Sequence, residues 1–338
     1  MKLLILGGTG VISSAIVKQG LLAGHEITAV NRGNRLSPYA GQISTIIADR
    51  KAPDFAAKMA NVQADVVLDM ISFNAADAAQ TLEIFGGKTS QIIFTSSIAA
   101  YARPYNSFPI RESEETMWRD PAYSYAFYKA EMEDYLREQM AKIDTPITII
   151  RPSLTFGEGA MNFGVLRQNY NIIHRMQQHK PLVMIGDGIA PWSFTFADDI
   201  ARGYILCCGN PKAYNEDFHI TNTEVVMWED LYHTIGEIIG EKPEFLYVSS
   251  QTLAQADPAL FGHFWYEKKY ASLFSNEKIM AAAPEYKPVI TLKQGLTNLI
   301  GWWEKNASAV NEEKMLLEDT ICDCTLEFQK LLKEKIGR

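Results

Sequence analysis

Cysteine is scarce: four residues in 338, as two tight pairs, Cys207-Cys208 and Cys322 with Cys324. Neither pair has cysteine or histidine partners at zinc spacing, so no zinc ribbon or finger is expected. A disulfide framework would need a secreted setting that nothing here suggests. Long apolar runs are missing too. The opening stretch Leu3–Leu6 breaks at Gly7-Gly8-Thr9-Gly10 before a signal-peptide core is complete, and no stretch approaches the ~18 apolar residues of a membrane helix. The expectation is a cytoplasmic protein with reduced thiols and no membrane partner, in which the sequon Asn306-Ala307-Ser308 is accidental. Positive charge is in deficit: 32 Lys and Arg against 40 Asp and Glu leave a net charge of −8. That argues against general attraction to nucleic acid, although a local pocket can still be basic. No metal site is expected, because the six histidines form no His-Glu-x-x-His. The Gly-x-Ser-x-Gly elbow of serine hydrolases is absent as well.

What the chain does contain is ordinary globular composition, 47% hydrophobic and 21% charged, with a strong rhythm in its first half. Leu3–Leu6, Ile27–Val30, Ser44–Ile47, Val66–Met70, Ile92–Thr95 and Ile147–Ile150 read as buried strands. Ile12–Ala23, Phe55–Ala60, Ala75–Phe85 and Tyr128–Ala141 read as the helices between them. Alternation of this kind predicts an α/β protein with a Rossmann-type, doubly wound parallel sheet, whose doubly buried strands are apolar throughout. After Arg151-Pro152 the rhythm gives way to Gly- and Pro-rich loops. The expected organisation is a dinucleotide-binding domain over 1–152, with 192–215 returning to it. A smaller α/β substrate lobe takes 153–191 and 216–304, and a helical extension takes 305–338. In the lobe, a helix from Trp228 to Ile239 stops at Gly240 and leads to a strand at Phe245–Val248. A final amphipathic helix covers about 312–335, with Met315, Leu316, Ile321, Leu326 and Leu331 as its apolar side.

The turn Gly7-Gly8-Thr9-Gly10-Val11-Ile12-Ser13 sits directly between the first strand and the first helix. A pyrophosphate can approach such a turn closely only where side chains are missing, and the helix start supplies N–H groups and a positive dipole end. Gly7, Thr9, Gly10, Val11 and Ile12 are therefore candidate cofactor contacts. Ser13 stands where a third glycine is usual, a position that serves packing more than phosphate contact. At the end of the second strand, Val30-Asn31-Arg32 lacks the acid that accepts from an NAD ribose. Asn31 and Arg32 thus tilt the expectation between NAD and NADP slightly towards NADP. Asp49 and Arg50, after the third strand, and Pro152 complete the predicted cofactor set. Gly87-Lys88-Thr89 resembles the end of a P-loop but precedes a strand, which makes it a surface turn.

Tyr125 and Lys129 lie four apart, on one face of a helix. A neighbouring ammonium favours the phenolate of a tyrosine, which then can take a proton from a hydroxyl and return it. Ser97 follows the strand ending Ile92-Ile93-Phe94-Thr95-Ser96, at the edge where doubly wound sheets place ligands. With these residues in view, the chain resembles the extended short-chain dehydrogenase/reductase superfamily, and within it the NAD-dependent epimerase/dehydratases. Thr95-Ser96-Ser97-Ile98-Ala99-Ala100-Tyr101 is similar to that family's serine segment, and Tyr125/Lys129 to its Tyr-x-x-x-Lys pair. Gly186-Asp187-Gly188 and Phe194-Thr195-Phe196-Ala197-Asp198-Asp199-Ile200-Ala201 are similar to its later segments. So are Trp228-Glu229-Asp230-Leu231 and Ser275-Asn276-Glu277-Lys278.

The resemblance implies a catalytic set of Ser97, Tyr125 and Lys129 acting on a sugar or nucleotide sugar by transient hydride transfer. It also implies a homodimer through the helices at 75–85 and 128–141. Glu112, Glu114 and Glu115 are the nearby acids a dehydratase could use, though surface charge accounts for each. Ser72 and Trp192 are candidate substrate contacts; Trp192-Ser193 stands where the family commonly has Arg-Asp, which points to a less anionic ligand. Two rival readings remain: an NADPH-dependent carbonyl reductase, and a non-catalytic RNA-binding protein on the same fold, as in chloroplast stem-loop-binding relatives.

Overall fold

The computed structural model describes residues 1–337. The chain divides into two compact units: 1–155 with 193–223 and 273–289, and 156–192 with 224–272 and 290 onward.

The first unit is built on a seven-stranded parallel sheet. Its strands are β1 (Lys2–Leu6), β2 (Glu26–Asn31), β3 (Ser44–Ile47), β4 (Val66–Asp69), β5 (Gln91–Thr95), β6 (Ile147–Pro152) and β7 (Glu216–Ile220). They lie in the order β7-β6-β5-β4-β1-β2-β3. Leu3 pairs with Ile27 of β2 on one side and with Val66 of β4 on the other. The winding direction reverses at β1, where such sheets open a crevice at the strands' carboxyl ends. The helices that matter for the site are α1 (Val11–Leu22), α2 (Phe55–Met59), α3 (Ala75–Phe85), α4 (Ser124–Met140) and α5 (Ala197–Cys207).

The apolar strands explain the layers. Successive side chains of a strand point to opposite faces. Accordingly Leu3 and Ile5 pack with Ile16 and Val17 of α1 and Ile200 and Tyr204 of α5. Leu4 and Leu6 pack on the other side with Ala78 and Leu82 of α3 and Met132 and Leu136 of α4. Each such leucine, fully buried, contributes about 1.5–3 kcal/mol of hydrophobic stabilisation. The doubly wound parallel sheet expected from the rhythm is the observed fold. Most expected bounds hold to within a residue or two; the largest difference is α4, which starts at Ser124, four residues before the apolar pattern does. Its first turn, Ser-Tyr-Ala-Phe, is half solvated and shows no helical stripe.

In the second unit, Leu182–Ile185 pairs in parallel with Phe245–Val248, and Pro191–Trp192 pairs antiparallel with Val226–Met227. The helix Trp228–Ile239 stops at Gly240, whose φ of 77° is the left-handed conformation that glycine adopts freely. The last helix, Glu312–Ile336, packs through a different face from the one its leucines mark. Its buried residues are Met315, Glu318 and Cys322, whereas Leu316, Leu326 and Leu331 are 68%, 50% and 51% exposed. A polar partner set decides that face: Glu318 accepts from Gln168 Nε2 at 3.0 Å and from the Val183 N–H at 2.8 Å.

Candidate active site

The carboxyl end of β1 runs into a tight turn. Gly7 has a φ of 90°, a value that strains any residue with a Cβ. Its N–H and that of Gly8 donate to the Val30 carbonyl at 2.9 and 3.2 Å, tying the turn to β2. A Cβ on Gly8 would come within 2.6 Å of the Ala29 Cβ. Ser13, at the third-glycine position, is buried and donates its hydroxyl to the Gly7 carbonyl at 2.7 Å. The serine therefore closes the loop from behind, a task glycine could not perform. No side chain caps α1 at Gly10, so its first N–H groups are left for a ligand. Gly10 is exposed, and a Cβ there would meet only Ser13 Oγ, at 3.4 Å. Thr9, Val11 and Ile12 are half-buried beside it.

Two strands away, β5 and α4 assemble the second part. Lys129 is buried, and its Nζ donates to the carbonyls of Thr95 and Ser72, each at 2.7 Å. The ammonium also lies 4.9 Å from the centroid of the Phe73 ring. Burial pushes the Lys129 amine down to about 8, against the pull of Asp69, Glu133 and Asp77. Tyr125, one helical turn earlier, is 41% exposed, with the Tyr123 ring 6.5 Å away. Ser97 accepts from the Ala99 N–H at 3.1 Å and so caps the short helix Ile98–Ala100. That contact uses an oxygen lone pair and leaves the hydroxyl proton to donate. The arrangement thus places a phenol and an ammonium on one helix face, with a serine hydroxyl on the adjoining strand end.

The other predicted residues have varied fates. Asn31 folds its Oδ1 back onto the Gly33 N–H at 2.8 Å, and Arg32 is exposed. Asp49 is exposed and accepts from the Lys51 N–H at 3.0 Å. Pro152 is buried in β6, opposite Ile220 of β7. Arg50 is buried with all its nitrogens engaged: Nε with Gln80, Nη1 with Asp69 and Ser72, and Nη2 with the Asp77 carbonyl and Thr81. A guanidinium spent in this way holds the loop after β4 and has no donor left for a phosphate. The Ser72 hydroxyl is likewise fully buried, donating to Asp69 Oδ2 at 2.6 Å. Its carbonyl, as the seat of Lys129, is the atom that reaches the site. Trp192 belongs to the second unit, where its indole donates to the Lys268 carbonyl at 3.1 Å and packs 5.5 Å from the Trp228 ring. It is 1% exposed and presents no stacking face. Sequence reasoning passed over Asp69 and Glu133, whose burial only the tertiary fold creates, and Phe73, half-exposed beside Lys129.

A family model described as the NAD dependent epimerase/dehydratase family matches residues 3–221. The chain belongs to that family. Among individual proteins it is similar to the 2'-dehydrokanamycin reductase of Streptomyces kanamyceticus, 24% identical over 71% of this chain and 67% of the relative. It is also similar, at 24% identity over 88% of this chain and 78% of the relative, to the chloroplast stem-loop binding protein of 41 kDa b of Arabidopsis thaliana. Among solved structures, the UDP-glucuronic acid 4-epimerase of Bacillus cereus in complex with NAD superposes with a TM-score of 0.72. That match has 18% identity and covers 91% of this chain and 99% of the other. The dinucleotide in the family's name fits what the chain offers: the uncapped start of α1 and the open side of Gly10 form a cradle that a Cβ would fill.

Proposed function

We propose that the protein is an NAD(P)-dependent epimerase or dehydratase acting on a sugar or nucleotide sugar, with Tyr125 as the acid/base that exchanges a hydroxyl proton. The observation carrying this reading is the seat of Lys129. Two carbonyls fix its ammonium one helical turn from Tyr125, at the strand end that also bears Ser97. A bound nicotinamide dinucleotide would supply the hydride acceptor and donor. The Tyr125 phenolate, favoured by the Lys129 charge, takes the substrate hydroxyl proton as the C–H hydride leaves. The Ser97 hydroxyl donates to the same substrate oxygen and orients it. Tyr125 would then return the proton to the same oxygen, and hydride delivery to the other face of the keto-sugar, chemistry that the cofactor would supply, would give the epimer. The sugar-nucleotide substrate is suggested by the Bacillus cereus structural neighbour. A homodimer through α3 and α4, where Tyr128 is 50% exposed, belongs to the same reading.

A second reading, an NADPH-dependent carbonyl reductase, is favoured by Asn31-Arg32 at the end of β2 and by the reductase relative. The stem-loop-binding relative raises a third, but a net charge of −8 offers little to a phosphate backbone. Denaturing the purified protein and identifying what it releases separates the readings. NAD or NADP together with a nucleotide sugar supports the first, and an empty protein that consumes NADPH with a carbonyl substrate supports the second. Failure to bind either cofactor removes both. Tyr125→Phe should lower turnover by roughly 10²–10⁴-fold, the usual range for a positioned acid/base, while cofactor affinity holds. An equally active variant rejects the mechanism.

A further inference from the structure

Glu133 lies on α4 one turn beyond Lys129 and two beyond Tyr125, and is 0% exposed. Its carboxylate accepts from Ser96 Oγ at 2.5 Å and from Arg151 Nε at 2.8 and 3.1 Å, with a further bond from Arg151 Nη2. Ser96 stands between Thr95, whose carbonyl receives Lys129, and Ser97. Two consecutive residues at the end of β5 are therefore bound to two residues one turn apart on α4. Arg151, in β6, is held in its turn by Asp217 Oδ2 at 2.7 Å and by donation to Tyr101 Oη at 2.7 Å. Burying a carboxylate and a guanidinium is expensive, and apolar residues of similar volume commonly hold a helix to a sheet at least as well. What the polar clamp adds is direction: its hydrogen bonds are satisfied in one register of helix against strand.

We propose that Glu133 is a positioning residue for the reacting set: through Ser96 and Arg151 it fixes α4 against the end of β5, and its charge keeps Lys129 an ammonium beside Tyr125. The proposal rests on the assignment of Lys129 to the reaction. The charged groups facing Lys129 are Asp69 from β4, Asp77 from α3, Arg50 from the segment after β3, and Glu133 from its own helix. Arg50 pushes its proton affinity down, and the three carboxylates hold it up. Glu133 is the one among them that also bonds to the serine segment, so it couples the charge of Lys129 to the placement of Ser97.

The test is the titration of Lys129, followed through its 13C-labelled ε-carbon by NMR in the full-length protein, with Lys129→Arg giving the assignment. Glu133→Gln should lower the midpoint by about one pH unit or more, a tenfold weaker hold on the proton. Glu133→Asp, which keeps the carboxylate, should restore most of it. Asp217→Asn disturbs another arm of the same ion-pair network and should leave the midpoint in place. An unmoved midpoint in Glu133→Gln overturns the proposal, and so does an equal shift in Asp217→Asn, which means general loosening. If Glu133→Gln fails to fold, the double variant Glu133→Gln with Arg151→Met is compared with Arg151→Met alone, so that the missing Arg151 charge is common to both and the shift still reports Glu133. Adding NAD or NADP to the parent tests the underlying assignment separately. A Lys129 signal indifferent to both cofactors defeats that assignment, while the dependence on Glu133 is still read without cofactor.

Discussion

At the scale of single residues, two arginines beyond neighbouring strands divide the cofactor question. Arg50 is fully spent on the loop after β4, so on the proposed reading selection at the ribose would fall to exposed Arg32 and to Asn31. Asn31 already holds the Gly33 N–H. A charge-assisted hydrogen bond is worth about 1.5–3 kcal/mol. Arg32→Ala should therefore weaken NADP binding by roughly tenfold or more and leave NAD within about twofold, as read by calorimetric titration. Equal losses for the two cofactors would show that Arg32 does not meet a 2′-phosphate. That Tyr125 and Lys129 share a helix lying against the strand end before Ser97 can be read from sequence, because each carries local information: a strand end, and a spacing of four. Glu133 shares that spacing, yet a glutamate on a helix ordinarily faces water, and only Arg151 from a distant strand makes it an interior residue. Arg50 misleads for the same reason, since Asp69, Asp77 and Thr81 reach it through the fold and leave no mark beside it.

At the scale of elements, alternation of apolar runs announces β1, β2, β4, β5 and β6 and the helices between them, because a doubly covered strand has no polar face to confuse the pattern. β3, expected to be buried, is instead the sheet's edge strand, with Ser44, Thr45 and Ile47 exposed. The C-terminal helix is less readable. Its leucines suggest a packing face, but the unit pins it through Glu318, which lies 3.5 Å from Arg175 Nε while accepting from Gln168 and Val183. Arg175 also pairs with Asp319 of the same helix at 2.6 Å. Removing one partner of a buried pair costs about 3–5 kcal/mol. Glu318→Ala should lower the unfolding free energy by about that amount, whereas Leu331→Ala, on the exposed side, should stay within about 0.5 kcal/mol of the parent. Urea unfolding of the two variants decides it. The reverse ranking would mean that the leucine face is the one that packs.

At the scale of the whole molecule, the buried bases set the pH at which the fold is firmest. Lys129 and Lys268 are pushed by burial to about 8 and about 7 from an ordinary value of 10.5. Between those values and 10.5 the unfolded chain binds the protons that the folded chain has shed, so stability rises with pH across that window. His219 and His263, both pushed by burial to about 3 from 6.5, add a rise between those values that levels off as the pH passes 6.5. Asp217 keeps its charge through Arg151, Arg137 and Lys278 against the penalty of burial. Its stabilisation is likewise present above the ordinary carboxylate value and lost only in acid. Glu112 and Glu318 are raised by burial and oppose these trends, since their stabilisation belongs below 4.5 and fades as pH climbs through their folded values. The buried thiols of Cys207 and Cys208 are raised from 9.0, and the buried phenols of Tyr204 and Tyr286 from 10.0. The unfolded chain ionises those groups first, so stability falls again above about pH 9. From pH 7 to 9 the two lysines dominate, opposed by the mutual repulsion of a chain that already carries −8. The melting temperature at fixed ionic strength should therefore rise from pH 7 to 9 and turn down beyond it. Lys268→Met, close in volume and seated between the Trp228 and Phe264 rings, should flatten much of that rise and raise stability most at pH 7. A parent curve that is flat or falling over the same interval would mean that water reaches both amines and that they keep their protons in the folded state.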